Sequence, residues 1–467
     1  MIIEKILQSK KNANCILDLE KSLLSDDEDG ILSSMDTFQE LFTQLYNRKM
    51  IQLSSDLDTN EEKYRLWLIE RKNDLVTNLL TYLNYENENI QEKSLEVLMT
   101  LVRLEGAHKE TWNFPVELFD KIVNELLNSN INQEVNVRKF QEYMQYDDIL
   151  LHSLKAVMDI LNKIEEVTDI FLTNLFYLLN TIRYPKEFQA DGYNTFLSQN
   201  NSKTAPFFFK KRQLRRLFSD VWQRYLKFPL PLPLLKKVLL VLHKKVIPHL
   251  ENPCLLTDFL TDSYSQKGVI SLLSLNSLFL LMDKYNIEYP DFFIKLYSLT
   301  NAEVINGKFC LRFFYLSDLF LSSIHIPAYL ITAFVKKLSR IALVSRADSV
   351  LRILCLVINL MIRHKSVSVL IHQEGPNTAG EDPFDFDEPD PAKCRALESS
   401  LWEIKTLQSH VVPSVCRKAK MINRALPYLE LENVALNVSM NSLYKNQRKR
   451  PFAEVPLAVC RPLKICL

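Results

Sequence analysis

The sequence is poor in glycine: only 7 of its 467 residues are glycine. Glycine allows a backbone to adopt positive φ or to approach a ligand closely, so its scarcity argues against β-sandwiches, dinucleotide-binding folds and phosphate loops. Hydrophobic residues make up 47% of the chain and charged residues 24%, which is the composition of a folded protein. Segments rich in Leu, Ile and Phe, separated by Pro, Asn or Asp, predict an all-α fold.

Motifs of known catalytic and nucleotide-binding sites are also missing, among them G-x-S-x-G, the P-loop and H-E-x-x-H. The histidine pairs His364/His372 and His243/His249 do not have the i,i+4 spacing of a helical metal site. The 8 cysteines form no C-x-x-C pair, which favours a reducing compartment. We therefore expect no enzymatic activity, no cofactor or metal, and no small-molecule substrate.

No apolar segment is both long and free of charge. The most apolar window, 311–335, contains Arg312, Asp318 and Pro327, and the apolar run 350–362 is shorter than the ~20 residues that cross a bilayer. A hydropathy scan could flag either window as a span. We interpret them as buried helices, and a helical protein of the nuclear membrane stays open as an alternative.

Apolar residues at helical spacing predict a series of helices packed as an irregular, HEAT-like α-solenoid of stacked antiparallel helix pairs, with a compact bundle as the alternative. The first two clear examples are 66–83 and 147–164. Further helices are predicted at 208–227, 231–250, 268–285, 290–300, 308–323, 327–343, 348–363, 396–409 and 413–424. In the helix that follows Pro327, the pattern places Leu330, Phe334, Leu338 and Ile341 in the core and Lys336, Lys337 and Arg340 in solvent.

Charge divides the chain more sharply than hydropathy does. Residues 1–202 contain 20 Lys and Arg against 34 Asp and Glu, whereas residues 203–250 contain 12 basic residues and a single acid, Asp220. We expect an acidic helical-repeat region at 1–200, a second helical domain at 201–440 and a basic, disordered tail at 441–467. Opposed charge blocks of this kind suggest charged partners at defined places.

The basic block opens with a cluster of cations on one predicted helix. Its cations are Lys210, Lys211, Arg212, Arg215 and Arg216, and its buried stripe is Leu214, Leu217, Phe218 and Val221. Such a cluster is suited to contact RNA phosphates or an acidic partner. The alternative is a solvated helix, or one whose cations face the acidic half of the same chain.

Two further segments differ from their surroundings. Residues 381–391 hold six acids and three prolines, so they are not expected to be helical, and they present Phe384 and Phe386. These two rings either tuck back against the solenoid or dock on a partner. The tail carries a cluster that resembles a nuclear-localisation signal, formed by Lys445, Arg448, Lys449 and Arg450.

Long runs of unusual residues resemble the CCAAT-binding-factor-like family of nucleolar proteins. They include YPDFFIKLYSL (289–299), FFYLSDLFLSSIHIPAYLITAFVKKLSRIAL (313–343) and VINLMIRHKSVSVLIH (357–372), together with 242–264 and 382–415. The resemblance covers about 205–425. The chain departs from the family pattern at two turns, 266–268 and 345–348, where we expect a changed loop and an unchanged fold.

The resemblance implies a scaffold of the nucleus and nucleolus that acts in small-subunit ribosome biogenesis. It implies incorporation into the 90S pre-ribosome, or small-subunit processome, and support of 18S rRNA processing, pre-40S assembly and export. It also implies a partner resembling nucleolar protein 14, while direct contact with pre-rRNA is left open. A helical adaptor resembling a nuclear transport receptor is the alternative function.

Aromatic residues that look too apolar for exposed turns are the predicted partner-binding positions. They are Tyr289, Pro290, Phe292, Phe384, Phe386 and Trp402. Aromatic anchors commonly dominate the energy of protein interfaces. For Phe292 and Trp402, a place in the core is an equally good interpretation.

Overall fold

The computed structural model describes most of the chain. The described residues are 14–25, 27–48, 50–51, 59–107, 114–128, 130–164, 167–182, 194–197, 211–266, 268–287, 289, 291–323, 325–372, 382–427, 429–431 and 440–448. Across them the secondary structure is helical, without a strand, which confirms the predicted all-α class. The chain divides into two compact units, with the boundary between Phe259 and Leu260.

Alternate helices stack against each other in the first unit. Its helices are α1 (Cys15–Leu23), α2 (Glu28–Asn47), α3 (Thr59–Tyr82), α4 (Glu88–Ala107), α5 (Val116–Leu126), α6 (Glu134–Phe140), α7 (Asp147–Lys163), α8 (Asp169–Thr181), α9 (Lys211–Tyr225) and α10 (Leu232–Val241). Helices α2, α4, α6, α8 and α10 pack in one series, and α5, α7 and α9 pack in another. Two such layers of helices are the arrangement of an α-solenoid.

The second unit is built around one helix that is buried on all sides. After α11 (Thr257–Ser265), which contains the boundary, its helices are α12 (Val269–Tyr285), α13 (Phe292–Leu299), α14 (Ala302–Asn306), α15 (Cys310–Phe320), α16 (Ala328–Ala342), α17 (Ala347–Arg363), α18 (Trp402–Leu407), α19 (Pro413–Ala419) and α20 (Met440–Arg448). Helix α17 contacts α15, α16, α19 and α20. Every residue from Asp348 to Met361 is buried, as the apolar run 350–362 predicts.

The predicted helix 231–250 is shorter in the structure. Helix α10 ends at Val241 and continues as a π-helical turn (Leu242–Val246) and a 3₁₀ turn (Ile247–His249). Pro248 lies inside the 3₁₀ turn, and its ring cannot donate the backbone hydrogen bond that an α-helix requires. The pattern of apolar residues predicts the segment correctly but not this change of helix type.

The predicted helix 396–409 is interrupted at Ser399–Leu401. A 3₁₀ turn (Ala396–Glu398) precedes the break, and Arg395 before it has a φ of 56°. Within the break the amide of Leu401 donates to the carbonyl of Leu370, and the Ser399 hydroxyl donates to Asp382. Contacts with distant residues therefore replace the local helical bonds.

Two further predictions concern the basic tail and the possibility of a membrane span. The tail predicted to be disordered begins with α20, which packs against α17, so that prediction does not hold for 441–448; residues 449–467 lie outside the described part. Among the described residues, no helix combines the length and the apolarity of a membrane span.

Candidate partner-binding surface

Helix α16 lies at the centre of the candidate surface in the second unit. The sequence predicts Lys336 and Lys337 in solvent, but their exposed fractions are 0% and 7%, so that prediction is wrong. The chain returns after α17 and lays residues 382–391, called here the acidic segment, over this side of the helix together with α18. A helix that looks amphipathic in sequence is thereby buried on both faces.

Two cations of α16 bind two carboxylates, one from the acidic segment and one from α18. The Nζ atom of Lys336 lies 2.8 Å from Asp382 and 2.6 Å from Glu403, and it donates to the carbonyl of Ser400 at 2.7 Å. Arg340, one turn along the helix, contacts the same two carboxylates at 2.5 Å and 3.0 Å. The side chains of Lys336 and Glu403 are fully buried, so each charge depends on the other for compensation.

Asp382 is held as an anion by several donors at once. Besides the cations, its carboxylate accepts hydrogen bonds from the Ser399 hydroxyl, the Trp402 indole (2.7 Å) and the Phe384 amide (3.2 Å). Burial by itself raises the pKa of Asp382, but the bonds from Lys336, Ser399 and Trp402 outweigh it, and the pKa lies well below its ordinary value. The segment is therefore fixed electrostatically at neutral pH.

The two phenylalanines of the acidic segment have different surroundings. Phe384 is 6% exposed, and its ring lies 5.8 Å from the Nζ of Lys336, so it tucks against the helix. Phe386 is 38% exposed while lying 5.8 Å from the Nζ of Lys337. Of the two alternatives left open by the sequence, Phe384 follows the first, and Phe386 keeps an exposed face.

Trp402 is the first residue of α18 and lies next to the acidic segment, to which it is bonded through Asp382. It is 39% exposed, and the guanidinium of Arg340 lies 4.8 Å from the centre of its ring. Its indole nitrogen is already used by Asp382. Trp402 therefore presents a half-exposed ring that is fixed in orientation, which is the property of a rigid anchor at an interface.

Lys337 is buried, and in the described part of the chain no carboxylate lies within ion-pair distance of it. Its Nζ donates to the carbonyl of Tyr297 at 3.1 Å and lies 3.9 Å from the centre of the Tyr297 ring. Burial lowers the pKa of Lys337 to about 8, although Cys394 and Asp387 act in the opposite direction. Cation–π contact and a backbone acceptor replace the ion pair at this position.

The predicted anchors at the start of α13 are placed differently. Phe292 is 1% exposed, and its ring packs against Tyr264 and Phe320 at 6.1 Å and 5.2 Å, so it belongs to the core. Tyr289 is half-buried, with the Nζ of Lys295 5.1 Å from its ring. Pro290 lies outside the described residues. The structure thus leaves Tyr289 accessible and encloses Phe292.

The basic helix α9 in the first unit buries its predicted apolar side. Leu214, Phe218 and Val221 are buried, while Leu217 is partly exposed. On the opposite side Arg212 and Arg216 have side chains that are 88% and 75% exposed, near Glu251 and Asp220.

The remaining predicted cations of α9 have different roles. Lys211 is exposed as well, and Lys210 lies outside the described residues. Arg215 donates to the backbone carbonyls of His249 and Leu250 at 3.2 Å and 2.5–3.0 Å. It holds the end of the 247–249 turn, so the exposed basic surface consists of Lys211, Arg212 and Arg216.

The predicted localisation cluster is described only at its start. Lys445 is exposed on α20, and Arg448 ends that helix. The side chain of Arg448 and the residues Lys449 and Arg450 lie outside the described part of the chain.

Comparison with known families agrees with these two units. Residues 271–419 match the model of the CBF/Mak21 family. Residues 1–166 match the model described as nucleolar complex protein 4-like, TPR repeats. The second match covers the N-terminal helices, in which the sequence shows only a weak resemblance.

Curated relatives match along almost the whole chain. Nucleolar complex protein 4 homolog B of Xenopus laevis is 36% identical, with 97% of this chain and 90% of the relative covered. Nucleolar complex protein 4 homologs of Gallus gallus and Homo sapiens are each 35% identical over 97% of this chain, with 94% and 92% of the relatives covered. These matches confirm the resemblance seen in residues 205–425 and extend it to both units. The chain belongs to the nucleolar complex protein 4 family.

Proposed function

We propose that this protein is a non-enzymatic scaffold of small-ribosomal-subunit assembly. Its family places it in the nucleolus and in ribosome biogenesis, and the members are helical-repeat proteins of scaffold type and no known enzyme class. We propose in addition that the protein acts on the small-subunit pathway, in 18S rRNA maturation and in pre-40S assembly and export. It acts there with a partner resembling nucleolar protein 14.

The observation that carries the proposal is the family match along 97% of the chain, combined with surfaces built for binding. Phe386 and Trp402 expose fixed aromatic rings next to Arg340 and Lys337. Exposed rings that neighbouring groups hold in one orientation suit the centre of a protein interface. Stable assembly interfaces bury on the order of 2,000 Å², and a helical repeat supplies such an area without a pocket.

The exposed side of α9 supports contact with RNA in the same particle. Lys211, Arg212 and Arg216 stand on the solvent side of one helix, at the start of a segment with a single acid. Neutralising phosphates releases counterions, so this contact is expected to weaken steeply with salt. We leave Arg215 out of this RNA contact because its guanidinium donates to the backbone carbonyl of Leu250 in the same chain.

The experiment is affinity purification of the tagged full chain, followed by gradient sedimentation with analysis of RNA and protein. The proposal predicts co-migration with small-subunit precursors that contain 18S precursor RNA, together with one stoichiometric protein partner. Migration only in light fractions, with transport cargo and no precursor RNA, would favour the adaptor resembling a nuclear transport receptor. Association with large-subunit precursors instead would refute the small-subunit assignment.

A further inference from the structure

Helix α15 has an outer face that is unusually apolar for a surface. Leu311, Tyr315 and Leu319 are 45%, 59% and 42% exposed. They follow one another at intervals of four residues, so they form a single stripe about 12 Å long on one side of the helix. The opposite side, with Phe313, Phe314, Leu316, Ser317 and Phe320, is buried in the second unit.

The inner face of α15 is also fixed by polar contacts. Arg352 of α17 donates to the sulfur of Cys310 at 3.7 Å, and Arg363 lies 2.8 Å from Asp318. The helix is therefore held in one rotation, and the stripe cannot turn inward. Within the described part of the chain the stripe is exposed, and it belongs to neither the acidic segment nor the basic helix.

A partly exposed cation, Arg312, follows Leu311 of this stripe directly in the sequence. The Nε and Nη2 atoms of Arg312 are buried, and neither has a hydrogen-bond acceptor among the described residues. Burial lowers the pKa of this guanidinium. Lys308, in the turn before α15, is exposed. The two buried donors leave the charge of this guanidinium uncompensated, and a partner carboxylate that meets the exposed part of Arg312 would compensate it.

We infer that the outer face of α15 is the docking site for an amphipathic helix of a protein partner, whose apolar side carries an acidic residue. The stripe of Leu311, Tyr315 and Leu319 has the spacing that a helix needs for ridge-into-groove packing. Arg312 provides the charge that selects an Asp or Glu on the incoming helix. RNA is a poorer match, because phosphates leave the two leucines uncovered.

This inference deepens the proposed function, since it rests on the protein having a partner in the assembling particle. The first experiment places the photo-crosslinker p-benzoylphenylalanine at Tyr315 of the full chain in cells, by Tyr315→p-benzoylphenylalanine. Val344, which is 75% exposed in the same unit, receives it as the matched control. The expected result is one cross-linked peptide of a single protein, helix-forming and containing Asp or Glu, that the control position does not give.

Surface variants then test the chemistry of the site. Leu311→Ser/Tyr315→Ser/Leu319→Ser and, separately, Arg312→Glu are each expected to reduce recovery of that partner by at least about tenfold. Val344→Ser should leave recovery unchanged. The triple variant replaces half-exposed side chains, so it should remain folded, with a modest fall in its thermal unfolding temperature. The cross-linked peptide identifies the acidic residue even if Arg312→Glu folds poorly.

Several outcomes would overturn the inference. One is a cross-link from Tyr315 to RNA, to a second copy of this chain or to a peptide without Asp or Glu. Another is a set of cross-linked products at Tyr315 that equals the set at Val344. If the chain sediments with small-subunit precursors and Tyr315 gives no partner, the docking site is wrong and the scaffold function stands. If it is absent from those precursors, the scaffold function is wrong, and a cross-link to an acidic helix still supports the docking site.

Discussion

At Lys336 a fully buried ammonium group is shared by Asp382 and Glu403, two carboxylates that are distant from it in sequence. Arg340 completes the arrangement, so two positive charges face two negative ones. A buried network of this kind is costly to desolvate and adds little stability over an apolar core. What it provides is specificity, because it fixes where the chain lies when it returns after α17.

The first prediction concerns Lys336. Lys336→Met leaves Glu403 buried without its closest cation, so the free energy of unfolding should fall by about 3–5 kcal/mol. Lys405→Met is the control, because Lys405 is exposed on α18, and it should change stability by less than about 0.5 kcal/mol. Urea unfolding of the full chain measures both variants.

A second substitution shows whether the loss of stability comes from the lost charge or from the lost packing. If the loss comes from the orphaned carboxylate, adding Glu403→Gln to Lys336→Met should restore part of the stability, and a double-mutant cycle should give a coupling above about 1 kcal/mol. Additive effects of the two substitutions would mean that the network contributes through packing alone.

The pH dependence of Asp382 gives the next prediction. Burial raises its pKa, but bonds from Lys336, Ser399 and Trp402 prevail and hold the pKa below its ordinary value near 4. The unfolded chain therefore binds a proton at a higher pH than the folded chain does. The stabilisation is complete above about pH 5 and is lost progressively as the pH falls below about 4.

The measurement compares wild type with Asp382→Asn from pH 7 to pH 3. At neutral pH the variant should be less stable by on the order of 2–3 kcal/mol, and the difference should narrow on acidification. A difference that stays constant down to pH 3 would show that the carboxylate is not ionised preferentially in the folded state.

Residue patterns in the sequence predict only part of this site. They mark Phe384, Phe386 and Trp402 as unusual, and the structure places all three beside α16. They place Lys336 and Lys337 in solvent, because helical periodicity describes one helix and its nearest core, and a segment that returns more than 40 residues later is invisible to it. The spacing of Lys336 and Arg340, one helical turn apart and followed by the acidic segment, is the signal that was available.

At the scale of elements, most of the predicted helices agree with the structure, and two of them are interrupted. The segment 231–250 changes helix type before Pro248, which the missing N–H of proline explains. The break at Ser399–Leu401 follows from bonds to Leu370 and Asp382. The first break has a local cause that the sequence contains, whereas the second has a tertiary cause that it does not.

The exposed cations of helix α9 are predicted to contribute to association with precursor particles. Lys211→Glu/Arg212→Glu/Arg216→Glu should weaken association with precursor particles and make it less dependent on salt, because about three phosphate contacts are lost. Arg215 is left unchanged, since its guanidinium holds backbone carbonyls. Sedimentation at several salt concentrations measures the effect.

The matched control reverses three exposed lysines elsewhere in the first unit: Lys21→Glu/Lys121→Glu/Lys163→Glu. It has the same change in net charge and should leave the salt dependence as in wild type. Equal effects of the two triple variants would show that α9 acts through general charge and makes no specific contact.

At the scale of the whole molecule, the protein is a series of packed helices in two units. Composition, the lack of glycine and apolar spacing are enough to predict this class, because helical packing depends on patterns that each segment contains. Partner identity is not encoded in such patterns. The family match over both units indicates a nucleolar role in ribosome biogenesis, and the side chains on α9, α15 and α16 are those we propose for partner binding.

The proposed role of the protein in assembly of the small ribosomal subunit is tested most directly by rapid depletion of the protein, followed by pulse labelling of ribosomal RNA. New 18S rRNA should fall severalfold while new large-subunit rRNA is initially unchanged, and re-expression of the full chain should restore it. Equal loss of both RNAs, or an unchanged yield of 18S rRNA, would contradict the account.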